Sequence, residues 1–253
     1  MEFLMTIGLL IFGLSAGVLA GFFGIGGGTF IVPMMTLFGL DIKLAVGISV
    51  MQMMFSSISA SYVNYKNNNL NIKEGLWVGI GGFIGAAFSG LVVNILSSKI
   101  LEGIFLLLTL VALYRFLVKG NESQLQPRLT PHRLILMLIG GITGIFAISL
   151  GIGGGLILVP LLSLYLGISS KRVIPISLFF IIFSSTSGFV SLAYFGYVNY
   201  LQGAIVGIAS IIGAMIGSYL LNIIDVKKHR YALVLLYAIV IAIMAYEFFK
   251  DII

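Results

Sequence analysis

The stretch GFFGIGGGTFIVP, residues 21–33, recurs as ISLGIGGGLILVP, residues 148–160. Each copy interrupts apolar sequence that continues far beyond what a soluble core requires. A glycine-rich break at membrane depth, present once in each half of a chain, is the form in which many membrane carriers build their sites.

Outward from these two phrases the chain divides into apolar segments at about residues 4–23, 29–40, 44–65, 75–96 and 101–117, then at 134–150, 156–167, 173–194, 203–224 and 231–249. Several exceed the roughly 18 residues that mark a spanning helix. With 60% hydrophobic and 9% charged residues among 253, the chain reads as an all-α polytopic integral membrane protein. The absence of cysteine removes disulfides, thiol nucleophiles and thiolate metal ligands. The formal charge of +6 sits in short loops between apolar segments, where it orients the chain in a bilayer and does not bind nucleic acid. Glu2 precedes the first segment and no Lys or Arg does, so the basic region of a cleavable signal peptide is missing and the amino terminus is expected to stay attached.

The polar stretch 119–133, with Pro127 and Pro131, separates repeat 1 (1–118) from repeat 2 (134–253). The halves align with a shift of 127 residues as far as Pro33 and Pro160, and of 128 from Lys43 and Lys171 onward. Gly13 then matches Gly140, Gly17 matches Gly144, Ser49 matches Ser177, Phe55 matches Phe183, Gly79 matches Gly207, Gly85 matches Gly213 and Asn94 matches Asn222. This is an internal duplication.

The segment 29–40 decides the relation between the halves, because at 1.5 Å per residue it spans only about 18 Å, little more than half of a hydrocarbon core. If it completes the crossing begun by the first helix, the repeats are parallel and the fourteen basic residues split evenly. If it turns back, one side holds Lys66, Lys73, Arg115, Lys119, Arg128, Arg133, Lys171, Arg172, Lys227, Lys228 and Arg230, and the other only Lys43, Lys99 and Lys250. That imbalance is a positive-inside signal. It selects inverted-topology repeats, each an opening helical hairpin plus three transmembrane helices, with hairpin tips at 24–28 and 151–155 and both termini outside.

At the first tip Gly24, Gly26, Gly27 and Gly28 permit positive φ and can turn successive amides toward one point, with Thr29 opening the next helix; Gly151, Gly153, Gly154, Gly155 and Leu156 repeat this. Such a run of amides at a helix N-terminus suits an oxyanion. A tight turn packed against neighbouring helices is the competing reading of the same glycines, and doubling in mirrored positions favours the site. The next helix carries Ser49 and Gln52 on one face, and its mate carries Ser177. Their hydroxyl and amide groups either donate to the anion or bond between helices. Lys43 and Lys171 stand at opposite mouths, where they snorkel or steer anions. His132 and His229 lie beside loops and are expected to be solvated. Every carboxylate is at or near a segment end, and nothing in the sequence resembles a nucleophile with its base or a metal cluster. No enzyme activity, cofactor or metal is expected. The expected partners are a small anion and the lipid bilayer, with homo-oligomerisation left open.

These motifs, with AVGIS at 45–49, PIS at 175–177 and FSSTSG at 183–188, resemble the sulfite exporter TauE/SafE family of membrane permeases from about Gly13 to Phe249. The resemblance implies a bacterial-type plasma-membrane transporter of sulfite or organosulfonates, and by motif it extends to Gly24 through Gly28, Pro33, Ser49, Gly151 through Gly155, Pro160 and Ser177. Export by alternating access around the two tips is the expectation, with an anion channel using the same site as the alternative. In the cysteine-free chain, Lys43→Cys and Lys171→Cys are expected to label from opposite faces of a sealed membrane. Labelling of both from one face would overturn the inverted arrangement.

Overall fold

The computed structural model describes residues 2–118, 132–167 and 170–250, which form eleven helices and no strand among the described residues. The linker at 119–131 lies outside them. Repeat 1 contains α1 (Glu2–Phe23), α2 (Gly28–Leu37), α3 (Ile42–Lys66), α4 (Ile72–Ala86), α5 (Ser89–Ile95) and α6 (Ser98–Val118). Repeat 2 contains α7 (Arg133–Ser149), α8 (Gly155–Leu166), α9 (Ser170–Tyr194), α10 (Tyr200–Ile223) and α11 (Val226–Lys250). Six helical stretches are long and apolar enough to cross a bilayer. Their outer faces present Ile11, Ile58, Phe83, Ile212 and Leu235 to the surroundings. A soluble monomer rarely exposes such contiguous apolar area, and a bilayer requires it.

Local chemistry starts several of these helices at matched places. Asn71 accepts a hydrogen bond from the Glu74 amide at 3.5 Å, and its mate Asn199 accepts one from the Gln202 amide at 3.1 Å. Each caps the fourth major helix of its half. One mismatch is informative. The stretch equivalent to the continuous α10 is broken between α4 and α5, because the Ser191 hydroxyl from α9 enters the break, donating to the Ala87 carbonyl at 2.7 Å and accepting from the Gly90 amide at 3.0 Å. A side chain inserted into the helical ladder is a recognised cause of such breaks. The mate of Ser191 is Val63, which has no hydroxyl to offer α10.

The halves interlock. Helix α1 packs along α10 in parallel, with Gly13 beside Val206, Gly17 beside Ser210 and Gly21 beside Ala214; α7 packs along α4 with Gly140 beside Val78 and Gly144 beside Gly82. Val206 and Ser210 are the repeat mates of Val78 and Gly82, so one interface is built twice. At Gly17 and Gly140 an added Cβ would strike the carbonyls of Ser210 and Val78, which is why the helices approach only through glycine. Helices α3 and α9 cross at the centre and are the most buried spans.

Side-chain contacts give the direction of each helix. One end of the molecule gathers the Ser98 hydroxyl on Asp41 Oδ2 at 2.7 Å, Lys43 over the Tyr197 ring and Lys99 over the Phe248 ring. The other end gathers Asn69 on Asn222, Lys171 Nζ on the Ile224 carbonyl at 2.6 Å and Arg133 over Trp77. Helix α3 therefore runs from the Asp41 end to the Asn69 end, and α9 runs the opposite way. The Tyr165 hydroxyl near the end of α8 accepts from the His132 amide just before α7, so the chain doubles back between them.

His229 departs from the solvated setting expected for it. It is buried, with Nε2 3.0 Å from the Phe22 carbonyl and its ring against Phe22 and Phe23. The α11 start closes over the end of α1, a tertiary contact that proximity to a loop in sequence does not reveal.

Gly17→Ala is expected to lower thermal stability in detergent by about 1–3 kcal/mol through overpacking. Gly8→Ala, where a Cβ meets nothing within 4 Å, is expected to be neutral or up to about 1 kcal/mol stabilising. Equal effects at the two positions would contradict the backbone contact at Gly17.

Candidate functional site

The two glycine-rich turns meet in the interior. Gly24, Gly26 and Gly27 have φ of 69°, 74° and 81°, and Gly151 and Gly153 have 64° and 71°. These left-handed conformations close each turn within a few residues. All residues of 24–29 and 151–156 are buried. A Cβ on Gly28 would overlap the Gly151 carbonyl, one on Gly155 the Gly24 carbonyl, and one on Gly153 the Ile25 carbonyl. Backbone thus packs on backbone where the halves join.

Three side chains brace this junction. Ser49 donates to the Gly151 carbonyl at 2.7 Å, and its mate Ser177 donates to the Gly24 carbonyl at 3.0 Å. Thr29 donates to the Ile152 carbonyl at 3.1 Å. Each serine has one hydroxyl proton, so in this structure it is committed to the opposite turn and its oxygen offers only lone pairs to a guest. Further along α3 and α9, Ser56, Ser57, Ser59, Ser184 and Thr186 bond back to carbonyls of their own helices.

Donors nevertheless remain. Among the described residues, none of the amides of Gly26, Gly27, Gly28 and Thr29 makes a backbone hydrogen bond, and the same holds for Gly153, Gly154, Gly155 and Leu156. The first free amides of α2 and α8 carry the positive end of the helix dipole. The residue equivalent to the N-cap differs between halves, since Gly27 is left-handed and Gly154 has φ −75° and ψ −32°.

Gln52 is the side chain that sets the two turns apart. It is fully buried on α3, and neither Oε1 nor Nε2 has a partner. A Cβ on Gly27 would lie 3.1 Å from Oε1 and 3.2 Å from Nε2, so this amide abuts the first turn and its free N–H groups. Its repeat mate is Phe180, whose ring edge abuts Gly154. A buried amide left without a partner costs about 1–3 kcal/mol.

Lys43 and Lys171 lie at the two opposite ends of the bundle and take no part in the tip junction. Lys43 Nζ sits 5.4 Å from the Tyr197 ring centroid. Reading the sequence misses what surrounds them. At the Lys171 end a cavity of about 730 Å³ is lined by Asn64, Asn67, Asn68, Asn69, Arg172 and Asn222 among others. At the Lys43 end the Tyr197 carbonyl closes onto Gly47 and the Tyr197 hydroxyl donates to Asn94 Oδ1 at 3.0 Å. The run Asn67-Asn68-Asn69 was the available signal for the first of these. Among the described residues no group of His, Asp and Glu is placed to hold a metal ion.

A family model described as Sulfite exporter TauE/SafE matches residues 9–244. The chain is similar to the "Probable membrane transporter protein MJ0441" of Methanocaldococcus jannaschii, 34% identical over 201 residues that cover 75% of this chain and 73% of that one. It is also similar to two Bacillus subtilis proteins with the same description. YdhB is 26% identical over 82% of this chain and 86% of its own length, and YunE is 28% identical over 93% and 94%. No solved structure matches the chain.

Ser49→Ala and Ser177→Ala each strip a buried carbonyl of its donor and are expected to cost about 1–3 kcal/mol in thermal unfolding. Ser57→Ala, which removes only a bond within its own helix, is expected to be near neutral. A Ser49→Ala as benign as Ser57→Ala would show that the brace is dispensable.

Proposed function

The chain belongs to the sulfite exporter TauE/SafE family, and from that membership we propose that it exports a small sulfur-containing oxyanion, sulfite or an organosulfonate, by alternating access around its two glycine-rich tips. The observation that carries this reading is Gln52, fully buried and unpartnered beside the free amides of the first tip. An oxyanion accepts hydrogen bonds at every oxygen, so it satisfies the amides of Gly26 to Thr29 and Gln52 Nε2 together. No buried countercharge is needed, which keeps the empty site affordable in a bilayer. Gly153 to Leu156 supply the same donors from the other half, and Ser49 and Ser177 exchange their carbonyl partners for anion oxygens when the tips part.

The halves are inverted-topology repeats, a reading supported by the opposite directions of α3 and α9 and by the return of α8 to the start of α7. The Lys171 end, which carries most of the basic residues, faces the cytoplasm of a plasma membrane, and both termini face outside. A carrier is favoured over a channel by the unlike ends of the bundle, since the Tyr197 carbonyl packs on Gly47 at the Lys43 end and a cavity lies at the Lys171 end.

Purified protein in liposomes is expected to move sulfite and methanesulfonate down their gradients. Gln52→Leu removes a hydrogen bond to a charged guest worth about 1.5–3 kcal/mol, so flux at limiting substrate is expected to fall about 10- to 100-fold. Thermal stability is expected to hold or rise, because an unsatisfied buried amide has been removed. Undiminished flux in Gln52→Leu would overturn the site, and native protein that moves neither anion would overturn the substrate class.

A further inference from the structure

The two mouths of this bundle are one device built twice. Each has a turn followed by a side chain that donates to an asparagine across the gap. At one mouth this is Asn69 Nδ2 on Asn222 Oδ1 at 2.8 Å, and at the other the Tyr197 hydroxyl on Asn94 Oδ1 at 3.0 Å. With the shift of 128, Asn69 is the mate of Tyr197 and Asn222 the mate of Asn94. Even the left-handed turn residue is matched, with Asn68 at φ 55° and Gly196 at φ 78°.

What surrounds the device has diverged. Asn64, Asn67 and Arg172 at the Lys171 mouth correspond to Leu192, Phe195 and Leu44 at the Lys43 mouth. Pro175, which lines the open cavity, corresponds to Gly47, onto which the Tyr197 carbonyl is pressed. Duplication alone would have left both mouths alike, so the asparagine-rich lining with Arg172 is a property of one mouth.

We propose that the cavity at the Lys171 mouth is a second anion site, a vestibule that takes a small oxyanion from solution before or after it occupies the tips. This rests on the carrier reading above and names a further site on the same path. The lining residues include two cations, four asparagines in and beside one turn, Asn222 and Tyr219, and no carboxylate. One proton of Lys171 Nζ is given to the Ile224 carbonyl, which leaves two, and the Arg172 guanidinium adds a planar fork suited to bidentate oxyanions. Asn222 Nδ2 is buried and without a partner, so a donor is already in place for a third contact. Asn64, itself fully buried with Oδ1 unpartnered, supplies an acceptor for a protonated oxyanion. At about 730 Å³ the space exceeds a sulfite or sulfate ion and admits it with water.

The test uses the full chain, which has no cysteine, with Asn67→Cys as a single label site in nanodiscs of neutral phosphatidylcholine at fixed ionic strength. An anionic sulfonatoethyl methanethiosulfonate is expected to react about tenfold faster than a cationic trimethylammonium analogue, after correction for their rates with a free thiol. Sulfate and methanesulfonate are expected to slow the reaction saturably. Arg172→Gln, at an exposed position, and Lys171→Gln are each expected to reduce both the charge preference and the protection. Phe195→Cys at the mate position is expected to show neither. Equal rates for the two reagents, or no protection by sulfate, would overturn the vestibule. Protection that appears only when phosphatidylglycerol replaces phosphatidylcholine would assign the cavity to a lipid headgroup and also overturn it. Because the readout is local labelling, a negative result alongside intact sulfite flux would leave the carrier reading standing.

Discussion

Backbone packed on backbone at the molecular centre is the constraint from which the rest of this structure follows. Gly28 lies against the Gly151 carbonyl and Gly155 against the Gly24 carbonyl, with the serines of α3 and α9 each tying one tip to the other half. No side chain fits in that contact, so glycine is required at both tips. Because α2 is only ten residues long, its N-terminus lies deep in the bundle while its end reaches the surface. The opening helices must therefore be held close along their length, and the glycines of α1, α4, α7 and α10 allow it.

Duplication supplies each of these contacts in two copies, and the informative positions are those where the copies differ. Phe55 and Phe183 both lie against glycines of the opposite half, at Gly207 and Gly79, and so preserve the scaffold. Gln52 and Phe180 do not preserve anything. One places an unpartnered amide beside a tip and the other an aromatic edge, so the two tips offer a guest unequal surroundings. The hydroxyl of Ser191, which breaks the helix between Ala86 and Ser89, is a third divergence, and it confines a bend to one half.

Much of this was legible in the sequence because it depends on period, length and glycine placement. The all-helical order of the segments, the duplication and the places of the two GIGGG turns between helices follow from those alone. Ser49 and Ser177 were legible as residues near the turns but not as braces, since their partners are carbonyls more than a hundred positions away. The break at Ala87 was hidden because a continuous apolar run gives no sign that a neighbour's hydroxyl will enter it. The burial of His229 was hidden for the same reason, as it is set by Phe22 and Phe23 of a different repeat. Gln52 carried a signal of another kind, a lone amide on an otherwise apolar and hydroxyl-bearing face, whose lack of any partner only the packed interior could reveal.

On the carrier reading, near-symmetry and its breakage do separate work. A carrier needs two arrangements close in free energy, and two halves that make the same contacts in opposite senses provide them without any dedicated spring. Identical halves would hold both mouths equally, giving no preference for either. The residues that differ between the mouths, Tyr197 against Asn69 and Gly47 against Pro175, change the strength of one closure without touching the tips. Tyr197 adds an aromatic ring under Lys43 and a carbonyl pressed on Gly47, whereas Asn69 adds one exposed hydrogen bond. On that reading, these unlike contacts are where the two closures would come to differ in strength, and a guest could shift the equilibrium only by its differential affinity for the two arrangements.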